Sequence, residues 1–259
     1  MSSGNNSGSC SKAISYRMYR IIRWFVWLFY PEIEVIGREN LPDEPCIIVG
    51  NHAQMNGPIA SELYFPVERY TWCAGEMMHL KEVPAYAFRD FWSMKPLYNR
   101  WFYYLLSYAV APISVCIFNN ANCIGVYHDM RILSTFRSSV EKLIEGKSLV
   151  ILPEFEKPYN NIINEFRDKY IEVARMYHKK TGREVCFTPM YLAPSLKRMY
   201  LGKPVRYDSS APKGAERKRI SEYLMDQVTG IARSLPEHKV VPYLNISKKL
   251  YPSSKQYQP

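Results

Sequence analysis

The sequence predicts an α/β protein: a mixed, mostly parallel sheet flanked by helices, led by an N-terminal amphipathic helix suited to a membrane interface. Three observations carry that prediction. Short apolar runs, Cys46-Ile47-Ile48-Val49, Ser148-Leu149-Val150-Ile151-Leu152 and residues 185–192, have strand length and little polar alternation, as strands buried on both faces do. Helical segments separate them, the order expected of a sheet covered by helices. Ahead of them all, residues 13–30 combine one apolar side with one rich in Arg, Tyr and Trp.

Taken in order, residues 1–12 are rich in Ser, Gly and Asn and read as a disordered N-terminus without the apolar centre of a signal peptide. Residues 13–30, AISYRMYRIIRWFVWLFY, hold no helix breaker. On a helical projection Ile14, Met18, Ile21, Ile22, Phe25, Val26, Leu28 and Phe29 gather on one side. Lys12, Tyr16, Arg17, Tyr19, Arg20, Arg23, Trp24 and Trp27 take the other, as in a helix lying in the plane of a bilayer surface. Residues 31–245 read as the α/β domain. Residues 33–36 form a short strand, 46–49 a buried one, 58–64 open a helix and 70–74 return as a strand. Residues 101–118, WFYYLLSYAVAPISVCIF, carry no charge and reach the lower limit of about 18 residues for a membrane span. Pro112 favours instead a helix that is buried or dips into one leaflet. A strand at 124–127 precedes a helix at 132–145 closed by Gly146, the buried strand at 148–152, and a helix at 164–181 closed by Gly182. The strand at 185–192 and an amphipathic helix at 215–235 complete the domain, and residues 246–259 read as a flexible tail.

The 259 residues carry 34 Lys and Arg against 24 Asp and Glu, a net charge of +10, which points to an anionic partner. With 21 Tyr and 5 Trp, and no nucleic-acid-binding signature, that partner is expected to be a membrane phospholipid surface and not a nucleic acid. The six Cys are scattered without metal-ligand spacing and read as reduced thiols. The expected location is the cytoplasmic face of the cell membrane, as a peripheral or monotopic protein.

Chemistry is expected where buried strands end, because ligands of α/β sheets bind at the carboxyl edge. His52 lies just beyond one such run and Glu154 just beyond another. A neutral imidazole in that position can take the proton from a hydroxyl nucleophile. No Gly-x-Ser-x-Gly elbow points to a hydrolase instead.

Four segments in chain order add a resemblance: NHAQMNGP at 51–58, GVYHDMR at 125–131, ILPEFEK at 151–157 and FTPMYLAP at 187–194, with IGRENLP at 36–42 and GKPV at 202–205 beside them. Through these the chain resembles the glycerolipid acyltransferases, typified by 1-acylglycerol-3-phosphate acyltransferases, over roughly residues 30–235. The resemblance implies transfer of an acyl chain from acyl-coenzyme A or acyl carrier protein to the hydroxyl of a lysophospholipid or glycerol-phosphate-like acceptor. It implies no cofactor beyond that donor and no metal. His52 becomes the general base. Where the family has the Asp that orients this imidazole, the chain has Gly57. Asn56 beside it and Glu62 on the following helix are the candidates for that partner. Asn51, Arg131, Glu154, Lys157 and Pro189 are implied on the substrate side, Glu154 and Lys157 standing for the family's Glu and Arg at the acceptor's phosphate. Phe155, where the family has Gly, points to an acceptor head other than a simple glycerol phosphate. A carboxylate restored as Gly57→Asp is expected to raise turnover or shift its pH optimum. The missing Asp also leaves a second reading, a catalytically impaired pseudoenzyme or lipid-binding protein on the same fold.

Overall fold

The computed structural model describes residues 6–92 and 96–255. In chain order the elements are α1 (Asn6–Phe29), β1 (Glu34–Ile36), β2 (Ile47–Gly50), α2 (Asn56–Tyr64), β3 (Arg69–Ala74), α3 (Val83–Ala87), α4 (Arg100–Asn120), β4 (Cys123–Val126), α5 (Ile132–Ile144), β5 (Ser148–Ile151), β6 (Glu154–Pro158), β7 (Asn164–Phe166), α6 (Glu172–Thr181), β8 (Cys186–Ala193), β9 (Arg198–Leu201), β10 (Val205–Arg206) and α7 (Lys213–Ser234). They form two compact units, Glu32–Trp72 with Leu133–Pro259, and Met1–Pro31 with Cys73–Ile132.

The larger unit is a mixed, mostly parallel sheet flanked by helices, its strands ordered β1-β9-β8-β2-β5-β3 with β10 beside β8. β2 runs parallel to both β5 and β8, β3 parallel to β5 and β1 parallel to β9, while β9 and β10 are antiparallel to β8. The apolar run of β2 explains its central place. Ile47, Ile48 and Val49 are 0% exposed, because a strand with parallel neighbours on both sides and cover above and below offers no face to water. α7 lies against β8 and β2 and buries Ile220, Leu224, Val228 and Ala232, one residue per turn along one side. Because β2 and β5 are parallel and Val49 is opposite Ile151, His52 and Glu154 each follow by three residues and leave the sheet level with one another.

Two stretches of this unit differ from the sequence reading. The helix expected over 164–181 starts only at Glu172. Residues 164–166 are β7, paired antiparallel with β6, because Asn164 donates its N–H to the buried Glu154 carboxylate and its amide to the Phe155 carbonyl. The expected flexible tail is also corrected over 246–255. Val240 N–H donates to the Pro252 carbonyl, Ser254 N–H to the His238 carbonyl and the Asn161 amide to the Ser253 carbonyl, so this segment is held against the unit by main-chain and side-chain bonds. Residues 256–259 of that tail lie outside the described residues.

In the smaller unit α1 begins at Asn6, so the disordered N-terminus expected over 1–12 is corrected for 6–12, and its first five residues lie outside the described residues. α1 packs on α4 through Tyr19, 7% exposed, with Ile22 beside it, against Cys116, Ala121 and Ile117. Ser15 joins this seam, its hydroxyl accepting from the Asn120 amide. Tyr19 was expected on the side facing away from the apolar stripe. Of the stripe, Ile14, Met18, Ile21, Phe25, Leu28 and Phe29 are exposed, while Ile22 packs in the seam and Val26 is half-buried. α4 repeats the inversion: it buries Ser107, Ala111 and Ser114 and exposes Trp101, Phe102, Leu105 and Tyr108. The helix runs unbroken across Pro112, and the stretch 97–120 is long and apolar enough to cross a membrane.

Candidate active site at the carboxyl edge of the sheet

The residues after β2 make a turn whose shape decides what His52 can do. Ala53 and Gln54 both hold left-handed backbone, φ 46° and 55°, a conformation that costs an L-residue with a Cβ about 1–3 kcal/mol. Asn56 holds the turn closed: its N–H and its side-chain amide both donate to the Ala53 carbonyl at 3.0 Å. The result is that the Gln54 carbonyl turns back on the imidazole and lies 2.6 Å from His52 Nδ1. A carbonyl oxygen has no hydrogen to give, so Nδ1 carries the proton, and in the neutral ring the basic lone pair is at Nε2. That is the tautomer a carboxylate imposes in a Ser-His-Asp triad.

His52 is held at its main chain as well. Its N–H donates to Glu154 Oε2 at 2.5 Å, while Glu154 Oε1 accepts from Asn164 N–H at 2.9 Å. Glu154 is 6% exposed, and burial pushes its carboxyl up to about 7 although both N–H bonds favour the anion. Asn51 is bonded in a similar way. Its amide donates to the Leu192 carbonyl at 3.0 Å and accepts from the Leu192 N–H at 2.8 Å, extending the β2–β8 ladder by one side chain.

The other residues singled out in the sequence take these places. Asn56 braces the turn through Ala53, and Glu62 pairs with Arg69 at 2.7 Å. Lys157, exposed on β6, pairs with Glu165 at 2.5 Å. Pro189 is buried inside β8 opposite Val49, where its carbonyl accepts from the Gly202 N–H. Arg131 belongs to the smaller unit, where it pairs with Asp129 at 2.9 Å and with Glu82 at 3.3 Å and stacks 4.0 Å above the Tyr127 ring. Gly57 is a packing glycine: a Cβ there would meet the His52 carbonyl oxygen at 2.4 Å and Leu152 Cδ1 at 2.9 Å. The gain expected from Gly57→Asp is therefore corrected, since the space a side chain needs is filled by the main chain of His52 itself.

Four participants carry no mark in the sequence. The Gln54 carbonyl and the Asn164 N–H are main-chain groups, and Tyr251, whose hydroxyl donates to Gln54 Oε1 at 2.9 Å, lies 197 residues from its partner. Arg167 is a fourth, its guanidinium 5.5 Å from the centre of the Phe155 ring. The one available signal was Asn56 itself, a residue type that braces tight turns.

No protein-family model matches the chain, and no curated protein does. Among solved structures, the 1-acyl-sn-glycerophosphate (LPA) acyltransferase PlsC from Thermotoga maritima is similar at 18% identity, over 88% of this chain and 83% of that one, with a TM-score of 0.47.

Proposed function

We propose that the protein is an O-acyltransferase of membrane lipids, moving an acyl chain from acyl-coenzyme A or acyl carrier protein to the hydroxyl of a lysophospholipid or glycerol-phosphate-like acceptor, with His52 as general base. The observation that carries this reading is the bond from His52 Nδ1 to the Gln54 carbonyl, which leaves Nε2 as the basic nitrogen at the carboxyl edge of the sheet. In the reaction Nε2 takes the proton of the acceptor hydroxyl as its oxygen attacks the thioester carbonyl. The tetrahedral intermediate then expels the thiolate, which takes the proton back from the imidazolium. The step needs no redox partner and consumes no water. Lys157 and Arg167, on and beside the β6–β7 hairpin that follows Glu154, supply cations for an anionic acceptor head, and Phe155 takes the volume that a bare glycine backbone would leave.

A peripheral or monotopic place on the cytoplasmic face of the membrane is part of the same reading. Its support is the exposed apolar stripe of α1 and the exposed Trp101, Phe102 and Leu105 of α4, with Lys12, Arg17, Arg20 and Arg23 along α1 and no acidic residue in that helix.

The test is mass spectrometry of lipids after incubating the full chain in phosphatidylcholine/phosphatidylglycerol vesicles with acyl-coenzyme A and a panel of lysolipids. One acceptor should gain an acyl chain, and His52→Ala should lose the activity by about 10³-fold or more, the scale of removing a triad base. Wild-type turnover in His52→Ala would remove the general-base assignment, and a wild type inert with every acceptor would favour a binding protein on the same fold.

A further inference from the structure

Residues 236–255 of the larger unit return to the turn that carries His52. The segment is anchored at its start by His238, 6% exposed, whose Nδ1 bonds the Pro236 carbonyl at 2.8 Å and whose Nε2 therefore accepts from the Tyr191 hydroxyl at 2.8 Å. It closes on itself where Val240 N–H meets the Pro252 carbonyl. Between these points it touches the His52 turn in three places. The Tyr243 ring stands edge-on to the imidazole, centroids 5.7 Å apart at 88°. The Leu244 carbonyl accepts from the Gln54 amide at 2.8 Å, and the Tyr251 hydroxyl donates to the same amide's oxygen at 2.9 Å. Gln54 is thus held at both ends of its side-chain amide, while its main-chain carbonyl holds His52 Nδ1.

We infer that this strap does the work of the carboxylate that Gly57 excludes, and that Tyr251 and Gln54 are positioning residues for His52. Two left-handed residues do not stay so unaided, since Ala and Gln both relax to more favourable backbone when nothing opposes it. Asn56 restrains the Ala53 side of the turn, and the two strap bonds restrain the Gln54 side. With the Gln54 side chain fixed, its carbonyl stays on Nδ1 and the proton acceptor stays Nε2. The Tyr243 edge limits rotation of the ring. The catalytic part of this inference rests on His52 being the base; the tautomer part rests on the geometry alone.

The experiment reads both separately on the full chain. Two-bond ¹H–¹⁵N spectra of histidine-labelled protein, with His52 assigned from the His52→Ala spectrum, report which ring nitrogen carries the proton. Acyl transfer from acyl-coenzyme A to lysophosphatidic acid in phosphatidylcholine/phosphatidylglycerol vesicles reports kcat and KM. Wild type should show the Nδ1–H form. Tyr251→Phe, which removes one oxygen and keeps the ring, and Gln54→Met, which keeps the shape and loses both strap bonds, should each lower the Nδ1–H share. Tyr251→Phe should also lower kcat by about fivefold, the factor for one net hydrogen bond, and Gln54→Met by up to about 25-fold, the factor for two, with KM little changed in either. A wild-type ring protonated at Nε2, or spectra of both variants identical to wild type, overturns the inference. If His52→Ala is inactive and both variants keep the wild-type spectrum, the base assignment stands and the strap's role falls. If His52→Ala is fully active while the variants shift the tautomer, the strap's hold on the ring stands and the base assignment falls.

Discussion

At the scale of single residues, Glu154 has the clearest consequence for pH. Its carboxyl is buried between two N–H donors and raised from the ordinary 4.5 to about 7. In the folded chain it therefore keeps its proton to a higher pH than in the unfolded chain, so the folded state binds more protons between those two values. Stability from this group is fully present below about pH 4.5, declines as pH rises, and is lost once pH passes about 7, a span worth about 3 kcal/mol. Glu154→Gln cannot titrate, and its amide sets an NH₂ against one of the two N–H groups of His52 and Asn164, costing about 1–3 kcal/mol. The stability of wild type relative to Glu154→Gln in urea should thus fall by about 3 kcal/mol from acid to neutral pH, enough to cancel or reverse the wild type's advantage. A difference that is flat over that range would place the Glu154 titration elsewhere. That Glu154 and His52 leave the sheet at one edge was legible because each follows an apolar run, and the Val49 to Ile151 register sets them level. What Glu154 binds was not legible, because its partners are main-chain N–H groups that every residue but proline has. The same holds for the partner of His52: nothing about Ala53 or Gln54 as residue types announces left-handed backbone.

At the scale of elements, the buried strands and long helices were legible because each carries its own period or run, and the glycines that stop α5 and α6, at φ 83° and 72°, are where a left-handed cap is expected. Elements defined by partners distant in sequence were not. β6 and β7 are short, irregular in register and built around one carboxylate, and the 239–253 pairing joins segments that read as loop. α1 was legible as a helix with two faces, yet the packed one is Ser15, Tyr19 and Ile22, set by Cys116, Ile117 and Asn120 of α4 and by Ala121 just after it. This leaves Phe25, Leu28 and Phe29 exposed at 50%, 51% and 81%. Replacing these three by Ser should leave the urea midpoint unchanged, since little is buried by them in the fold. If they enter a bilayer, the substitutions should weaken sedimentation with phosphatidylcholine vesicles by about tenfold or more, given roughly 1.5–3 kcal/mol for each such side chain taken fully out of water. A drop in the midpoint with unchanged vesicle binding would mean the stripe serves the fold and not a membrane.

At the scale of the whole molecule, charge and apolar surface make separable demands on a bilayer. The chain carries +10, and Lys12, Arg17, Arg20 and Arg23 stand on α1 without an acidic residue among them. Each Lys or Arg held near an anionic surface contributes about 1 kcal/mol, and that contribution fades once the screening length is shorter than the distance to the headgroups. Raising salt from about 0.01 M to about 1 M shortens that length from about 30 Å to about 3 Å. Apolar insertion is not screened. Binding to phosphatidylglycerol-rich vesicles should therefore weaken steeply over this range and level off at the affinity shown for phosphatidylcholine alone, which should itself change little with salt. The plateau measures the apolar stripe and the slope measures the cations, so one titration on each lipid separates them. Binding to anionic vesicles that does not respond to salt would show that the positive charge is directed at something other than the lipid surface.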